Sequence, residues 1–372
     1  MRVLHVTQTT ATGVAHVLED HLRHQASLGW DVVVASPRSS QCSALPGGVR
    51  WCAWSATRSP GASLPREVAA LRRIVGEVRP DLVHLHSAKA GLAGRLAIRG
   101  AVPTVFTPHA WSWLASGRLV GALALRWERH AVRHCDAIVC VSEDEWRLAE
   151  DSGVSGPLRV IPNDAPVDRL RELAPDSMES ARRQLGLPLD VPVAVCCARL
   201  SPQKGQDVLL RAWRRLSSDS AVLVLVGDGP MRAELDELAR TAGDVRLVGM
   251  RSREAALAWM VAATVVVCPS NYEGMSLVPL EAAALGRPVV ACEVEGMRSE
   301  LSSNARMLVP PGDDVALAAA LDPFLRDAPR AAAGGVEAAE WADRTQREQG
   351  AAQANVALYR EILAARTGRP PS

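Results

Sequence analysis

Along the first half of the chain, short apolar runs rich in β-branched residues alternate with longer stretches whose apolar positions recur every three to four residues. Runs at 3–6, 31–35, 82–86, 104–107 and 137–141 predict strands, and 14–28, 64–78, 88–99, 112–134 and 143–152 predict helices. Regular strand–helix alternation implies βαβ units and a parallel sheet covered on both faces. At Ile161-Pro162-Asn163-Asp164-Ala165-Pro166 the pattern gives way to prolines and charges, which reads as an interdomain linker. The alternation then resumes, with strands at 193–198, 221–226, 245–248, 264–268 and 288–291 and helices near 205–217, 230–242, 253–262 and 276–286. The expected architecture is α/β: two doubly wound domains, 1–165 and 185–344, with a helical stretch at 345–366 packing back on the first.

Parallel sheets of this kind bind ligands beyond the carboxyl ends of their strands, so the loops there carry the candidate chemistry. In the second domain, Tyr272-Glu273-Gly274-Met275-Ser276-Leu277 lies between a strand and the helix containing Glu281. Free N–H groups and the positive end of a helix dipole at such a turn suit a diphosphate. Glu273 is placed at the rim and Glu281 about two helical turns in, where carboxylate oxygens can accept from hydroxyls of the same ligand. By spacing alone the two glutamates read as ordinary exposed helix residues; it is their surroundings that carry the functional reading. Arg199-Leu200-Ser201-Pro202-Gln203-Lys204-Gly205 follows another strand, and its two cations form a natural clamp for a pyrophosphate. Gly227-Asp228-Gly229-Pro230 is either a plain turn or a place where a nucleotide lies against the backbone. Met250 is the next loop residue expected at that end of the sheet.

In the first domain, Gly13 opens a helix without a Cβ in the way, although no G-x-G-x-x-G fingerprint accompanies it. His109 follows a strand, where it either points into a cleft or caps and packs a helix. His84 and His86 share a strand face, but no carboxylate or cysteine falls at ligand spacing nearby, so they read as buried, hydrogen-bonded groups and no metal site is expected.

Length and charge narrow the class. The chain has 372 residues, too many for one ordinary core, and a formal net charge of +1, with no nucleic-acid signature. Of 42 basic residues only Lys89 and Lys204 are lysines. Lys89 reads either as a residue near an acceptor or as a solvated lysine at a helix start. Eight cysteines show no C-x-x-C pair, and Cys140, Cys196, Cys197, Cys268 and Cys292 lie in or beside apolar runs as expected of buried thiols. With no apolar run of membrane-spanning length and no signal-peptide pattern, a cytoplasmic location is expected. The segment 113–134 mixes Arg118, Arg126, Arg129, His130, Arg133 and His134 with apolar residues; it is either a solvated domain helix or a basic amphipathic helix for peripheral membrane contact.

The ordered series of the Gly13 loop, Ser87-Ala88-Lys89-Ala90-Gly91, Thr107-Pro108-His109, Val141-Ser142, Ile161-Pro162-Asn163, Arg199 to Lys204, Gly227 to Pro230, and Glu273 with Glu281 resembles the retaining glycosyltransferases of family 4. That resemblance implies the GT-B fold, with two facing Rossmann-like domains. It implies a nucleotide-diphosphate sugar (UDP- or GDP-linked) as donor co-substrate, no obligatory metal cofactor, and a hydroxyl acceptor such as a lipid-linked glycan, a polysaccharide or a small metabolite. Arg199 and Lys204 would hold the diphosphate and Glu281 the ribose. Glu273 and the N–H groups of Gly274, Met275, Ser276 and Leu277 would face the sugar, with His109 as a catalytic contact from the first domain. Where family members often carry a glycine, this chain has Thr12 and Asp164. Two other readings stand beside this one: a sugar-nucleotide 2-epimerase of the same architecture, and a non-catalytic sugar-nucleotide-binding protein.

Overall fold

A computed structural model describes the chain except residues 9–12, 39–44, 58–60, 115–116, 217–220, 295–296, 298–305, 347–349 and 369–372. Thr12 and Cys42 lie outside the described residues. The chain divides into two compact units, one of residues 1–163 with 349–372 and one of residues 164–348.

The first unit is built on seven parallel strands in the order β3-β2-β1-β4-β5-β6-β7: β1 Arg2–Thr7, β2 Asp31–Ser36, β3 Val49–Ala53, β4 Leu82–His86, β5 Thr104–Thr107, β6 Ala137–Cys140 and β7 Leu158–Val160. The central strands are buried on both faces, as expected where helices cover a parallel sheet. Helices α1 Gly13–Ser27, α2 Leu64–Val78, α3 Ser87–Ile98, α4 Arg118–Ala131 and α5 Glu143–Asp151 provide the cover. Helix α3 lies very close to the sheet, because a Cβ on Gly91 or Gly94 would overlap Phe106 or Leu85. The strand order reverses between β1 and β4, the switch point at which such sheets bind ligands.

The second unit has six parallel strands, β10-β9-β8-β11-β12-β13: β8 Val193–Cys197, β9 Val222–Val226, β10 Val245–Gly249, β11 Val265–Cys268, β12 Val289–Cys292 and β13 Arg306–Val309. Its switch point is between β8 and β11. Around the sheet lie α6 Val167–Leu173, α7 Met178–Leu185, α8 Gln206–Arg215, α9 Arg232–Ala239, α10 Arg253–Ala262, α11 Leu277–Ala284, α12 Asp314–Arg326 and α13 Ala328–Gln346. Helix α14, Ala351–Thr367, belongs to the first unit. It packs on α1, buries Leu358 and Ile362, each contributing about 1.5–3 kcal/mol, and ties Arg366 to Asp136 at 2.7 Å.

Several expectations are corrected. Strands β3, β7 and β13, absent from the sequence reading, are all sheet edges; β3 and β7 carry only half-buried or exposed residues, so their hydrophobic signal is weak. Residues 167–185, between the two expected domains, form α6 and α7, whose Val167, Leu170 and Ala181 join the second core. The helix expected over 112–134 starts only at Arg118, after Gly117 as N-cap; Trp111 and Trp113 instead stack, with ring centroids 4.7 Å apart. Among the described residues the cysteines are free thiols, with Cys140, Cys196, Cys197, Cys268 and Cys292 buried. No helix among them is long and apolar enough to cross a membrane.

Candidate functional site

At the second switch point the loops after β8 and β11 are locked together by backbone and side-chain hydrogen bonds. Asn271 N–H donates to Gln203 O (2.8 Å), Asn271 Nδ2 to Pro202 O (2.7 Å) and Gln203 Nε2 to Tyr272 O (3.1 Å). Gly205 makes the approach possible: it has φ +63°, and a Cβ there would come within 2.0 Å of Pro269 O. The result is an ion pair between Lys204 and Glu273, in which Glu273 Oε1 also accepts from Ser270 Oγ at 2.6 Å. Both partners are sheltered, the Lys204 side chain being 21% and that of Glu273 7% exposed. The lysine expected on a diphosphate is therefore held by the carboxylate beside it. Arg199 lies in the same loop, partly exposed, with no ion-pair partner among the described residues.

Gly274, Met275 and Ser276 lead directly into α11, and Ser276 is an N-cap that makes no side-chain cap bond. Helix α11 begins at Leu277, so Glu281 is just over one turn into it rather than two, because 273–276 is turn rather than helix. Glu281 is buried, and its Oε1 lies 3.3 Å from Arg253 Nη2 at the start of α10. Arg253 escaped the sequence reading. Its local signal, an N-cap Ser252 accepting from Ala255 N–H, fixes a helix start but says nothing about a partner 28 residues away. Met250 follows β10, two strands from β8, and is 56% exposed. The glycines of 227–230 serve the loop after β8 itself, since a Cβ on Gly227 or Gly229 would come within 1.9 Å of Ala198 O or 2.2 Å of Leu200 O.

In the first unit, Gly13 is the exposed first residue of α1. His109 sits in the loop after β5 with φ +53°, followed by Ala110 at φ +99°. These rarely populated conformations are held by Glu145, which accepts from Ala110 N–H (2.8 Å) and Val141 N–H (2.7 Å), while Trp111 Nε1 donates to Glu145 O (2.9 Å). Burial pushes the Glu145 carboxyl up to about 7. Glu145 is a second residue the sequence reading missed, although Ser142-x-x-Glu145 has the spacing of a capping box and Ser142 Oγ does accept from Glu145 N–H.

Behind His109 lies a buried histidine cluster. Register pairs His5 with His84 across β1 and β4, and alternation brings His86 to the same face. His5, His84 and His86 have ring nitrogens close enough to hold a metal ion together. Yet every one of these nitrogens already has a partner: His5 has Gln25 and His86, His86 has His5 and His109, and His84 has Tyr359 and Thr107. Burial pushes all three pKa values down, to about 4 for His5, which keeps the rings neutral. Lys89 is neither solvated nor available to an acceptor: it is buried in an ion pair with Glu67 at 2.7 Å.

Comparison with known proteins converges on one family. Residues 11–169 match the model described as Glycosyltransferase Family 4, and residues 191–327 that of Glycosyl transferases group 1. The D-inositol 3-phosphate glycosyltransferase 1 of Catenulispora acidiphila is 29% identical over 365 residues, spanning 88% of this chain and 85% of its own. The GDP-mannose-dependent alpha-(1-6)-phosphatidylinositol monomannoside mannosyltransferase of Mycolicibacterium smegmatis is 34% identical over 300 residues, 75% of this chain and 76% of its own. Among solved structures, a sucrose-phosphate synthase from Thermosynechococcus elongatus superposes with a TM-score of 0.84 at 23% identity, over 98% of this chain and 100% of that one, which shows the GT-B fold. With two parallel α/β units and relatives of this kind along most of its length, the chain belongs to the group 1 glycosyltransferases of family 4.

Proposed function

We propose that this transferase moves a sugar, with retention of configuration, from a UDP- or GDP-linked donor to a hydroxyl of an acceptor carried at an anionic membrane surface. The observation that carries the donor side is the Lys204–Glu273 pair at the second switch point, beside a helix whose N-cap makes no side-chain bond. A diphosphate competes with Glu273 for Lys204, recruits Arg199 and meets the positive end of α11, so charge developing on the leaving diphosphate is stabilised by groups already in place. Glu281 accepts from the ribose hydroxyls, with Arg253 steadying its carboxylate. The N–H groups of Gly274, Met275, Ser276 and Leu277, with Glu273, face the donor sugar, and Met250 borders the base. Gly13 lets the backbone approach the phosphate, and His109 contacts the sugar or the nascent phosphate. None of these roles calls for an obligatory metal.

The acceptor side rests on α4. Its Leu119, Val120 and Leu123 are 83%, 60% and 68% exposed, and exposed Arg118, Arg126 and Arg129 lie on the same helix. Such a surface inserts apolar side chains at the headgroup boundary while its cations meet anionic lipid. The Mycolicibacterium relative is named for transfer to a phosphatidylinositol monomannoside, an acceptor of this class.

Thermal-shift measurements with UDP, GDP, ADP and their sugar conjugates test the donor reading. One nucleotide family should raise the melting temperature, because ligand bound only to the native state stabilises it; folded protein that responds to none of them would refute it. Co-sedimentation with anionic vesicles tests α4: wild type should bind and an L119S/V120S/L123S variant should not. Equal binding by the two would remove the helix from the membrane reading.

A further inference from the structure

Four side chains of the first unit form one unbroken hydrogen-bonded row. Gln25 Oε1 lies 2.8 Å from His5 Nε2, His5 Nδ1 lies 3.0 Å from His86 Nε2, and His86 Nδ1 lies 3.3 Å from His109 Nε2. Gln25, His5 and His86 are fully buried, whereas His109 at the end of the row keeps partial access to solvent. A neutral imidazole has one N–H and one lone pair, so fixing the donor at one ring fixes every ring after it. An amide oxygen only accepts, which makes His5 Nε2 a donor and leaves His5 Nδ1 a lone pair. His86 Nε2 must then donate and His86 Nδ1 accept, so His109 donates through Nε2. Its other nitrogen, Nδ1, is left as a bare acceptor at the open end of the row.

We propose that Gln25, acting through His5 and His86, is a positioning residue that holds His109 in the Nε2–H tautomer and so presents an unprotonated Nδ1 to a hydroxyl of the bound sugar or acceptor. The identity of that hydroxyl rests on the function proposed above; the tautomer does not. The side branch strengthens the arrangement. His84, whose ring centroid is 4.0 Å from that of His86, is itself held by Tyr359 and Thr107 Oγ1 (2.7 Å), so it packs against the row without taking a partner from it. The strained φ of His109 and Ala110, held by Glu145, keeps the last ring on the row. A merely structural cluster would need the contacts but not this sequence of donors.

The test is a substrate-free measurement of histidine tautomers by 15N nuclear magnetic resonance at neutral pH, with the His109 signals identified by their loss in His109→Ala. Wild type should show Nε2–H at His109. The Gln25→Glu variant, which keeps an oxygen acceptor, should retain it, and Gln25→Leu should lose it to a mixture of tautomers. In turnover, Gln25→Leu should lower kcat at least tenfold with the donor KM changed less than twofold, and Gln25→Glu should restore most of it. An Nδ1–H His109 in the wild type would overturn the proposal, since reversing the Gln25 amide reverses every donor along the row; that observation decides the matter even if Gln25→Leu fails to fold. A folded Gln25→Leu protein with the His109 tautomer intact would overturn it too. Failure to bind any nucleotide sugar would count against the proposed function and leave the tautomer result standing.

Discussion

All nine histidines lie in the first unit, between His5 and His134, and none lies in residues 164–348. The two units should therefore respond differently to acid. Burial lowers the pKa of His5 to about 4 and of His21 and His109 to about 3, and holds His84 and His86 well below the ordinary range. For a base whose pKa is lowered by folding, stability is fully present above the unfolded value near 6.5 and is lost as pH falls towards the folded value, because the unfolded chain takes up protons that the fold refuses. Between pH 6.5 and 5 each of His5, His21 and His109 loses about 2 kcal/mol, or about 6 kcal/mol for the three, and His84 and His86 act in the same direction. Glu145 works in the opposite direction. Its pKa, raised by burial to about 7, means that the fold gains relative stability as pH falls from 7 towards 4.5, returning about 2 kcal/mol by pH 5. The net loss, about 4 kcal/mol before His84 and His86 add to it, approaches the lower end of ordinary domain stability. The first unit should open near pH 4.5 to 5 while the second stays folded. Hydrogen exchange read by mass spectrometry between pH 7 and 4 distinguishes them: peptides of β1, β4 and β5 should lose protection before those of β8, β9 and β11. Protection lost together in both units, or retained in the first unit down to pH 4, would refute the reasoning. Replacing His21, neither of whose buried ring nitrogens has a hydrogen-bond partner among the described residues, by leucine should move the transition to lower pH.

Three further predictions concern the site. Lys204→Ala and Glu281→Ala should each remove a charge-assisted contact worth about 1.5–3 kcal/mol, weakening nucleotide-sugar binding roughly 10- to 150-fold by calorimetry; unchanged affinity in both would remove the donor site. His109→Ala should lower kcat far more than it changes donor affinity, and normal turnover in that variant would strike His109 from the catalytic groups. Gly205→Ala places a Cβ against Pro269 O at a positive φ, so it should destabilise the second unit by about 1–3 kcal/mol in a denaturant titration and weaken nucleotide binding as the Lys204 loop shifts. A Gly205→Ala protein with wild-type stability and affinity would show that the two loops need not be pressed together.

How much could be read from the chain follows from what is local. Alternating apolar runs placed the central strands, because strands buried on both faces leave unmistakable β-branched segments such as Val265–Cys268. The edge strands β3, β7 and β13 and the helices α6 and α7 left no comparable pattern, since their burial depends on neighbours distant in sequence. In each unit, the loops at the carboxyl ends of the strands, holding His109 in the first and Arg199, Lys204 and Glu273 in the second, were legible as strand-to-helix turns carrying charged or titratable residues. Their partners were not. That Lys204 rests on Glu273, that Arg253 reaches Glu281, that Glu145 clamps the loop of His109 and that Lys89 is sealed against Glu67 are consequences of strand order and register. The sequence by itself determined the two-unit α/β class and the loops where chemistry lies, because periodicity and turn chemistry act over a few residues. Only the tertiary structure decided which charges neutralise each other and how Gln25, His5, His86 and His109 fall into one row, because those contacts exist only once parallel strands bring distant residues to the same face.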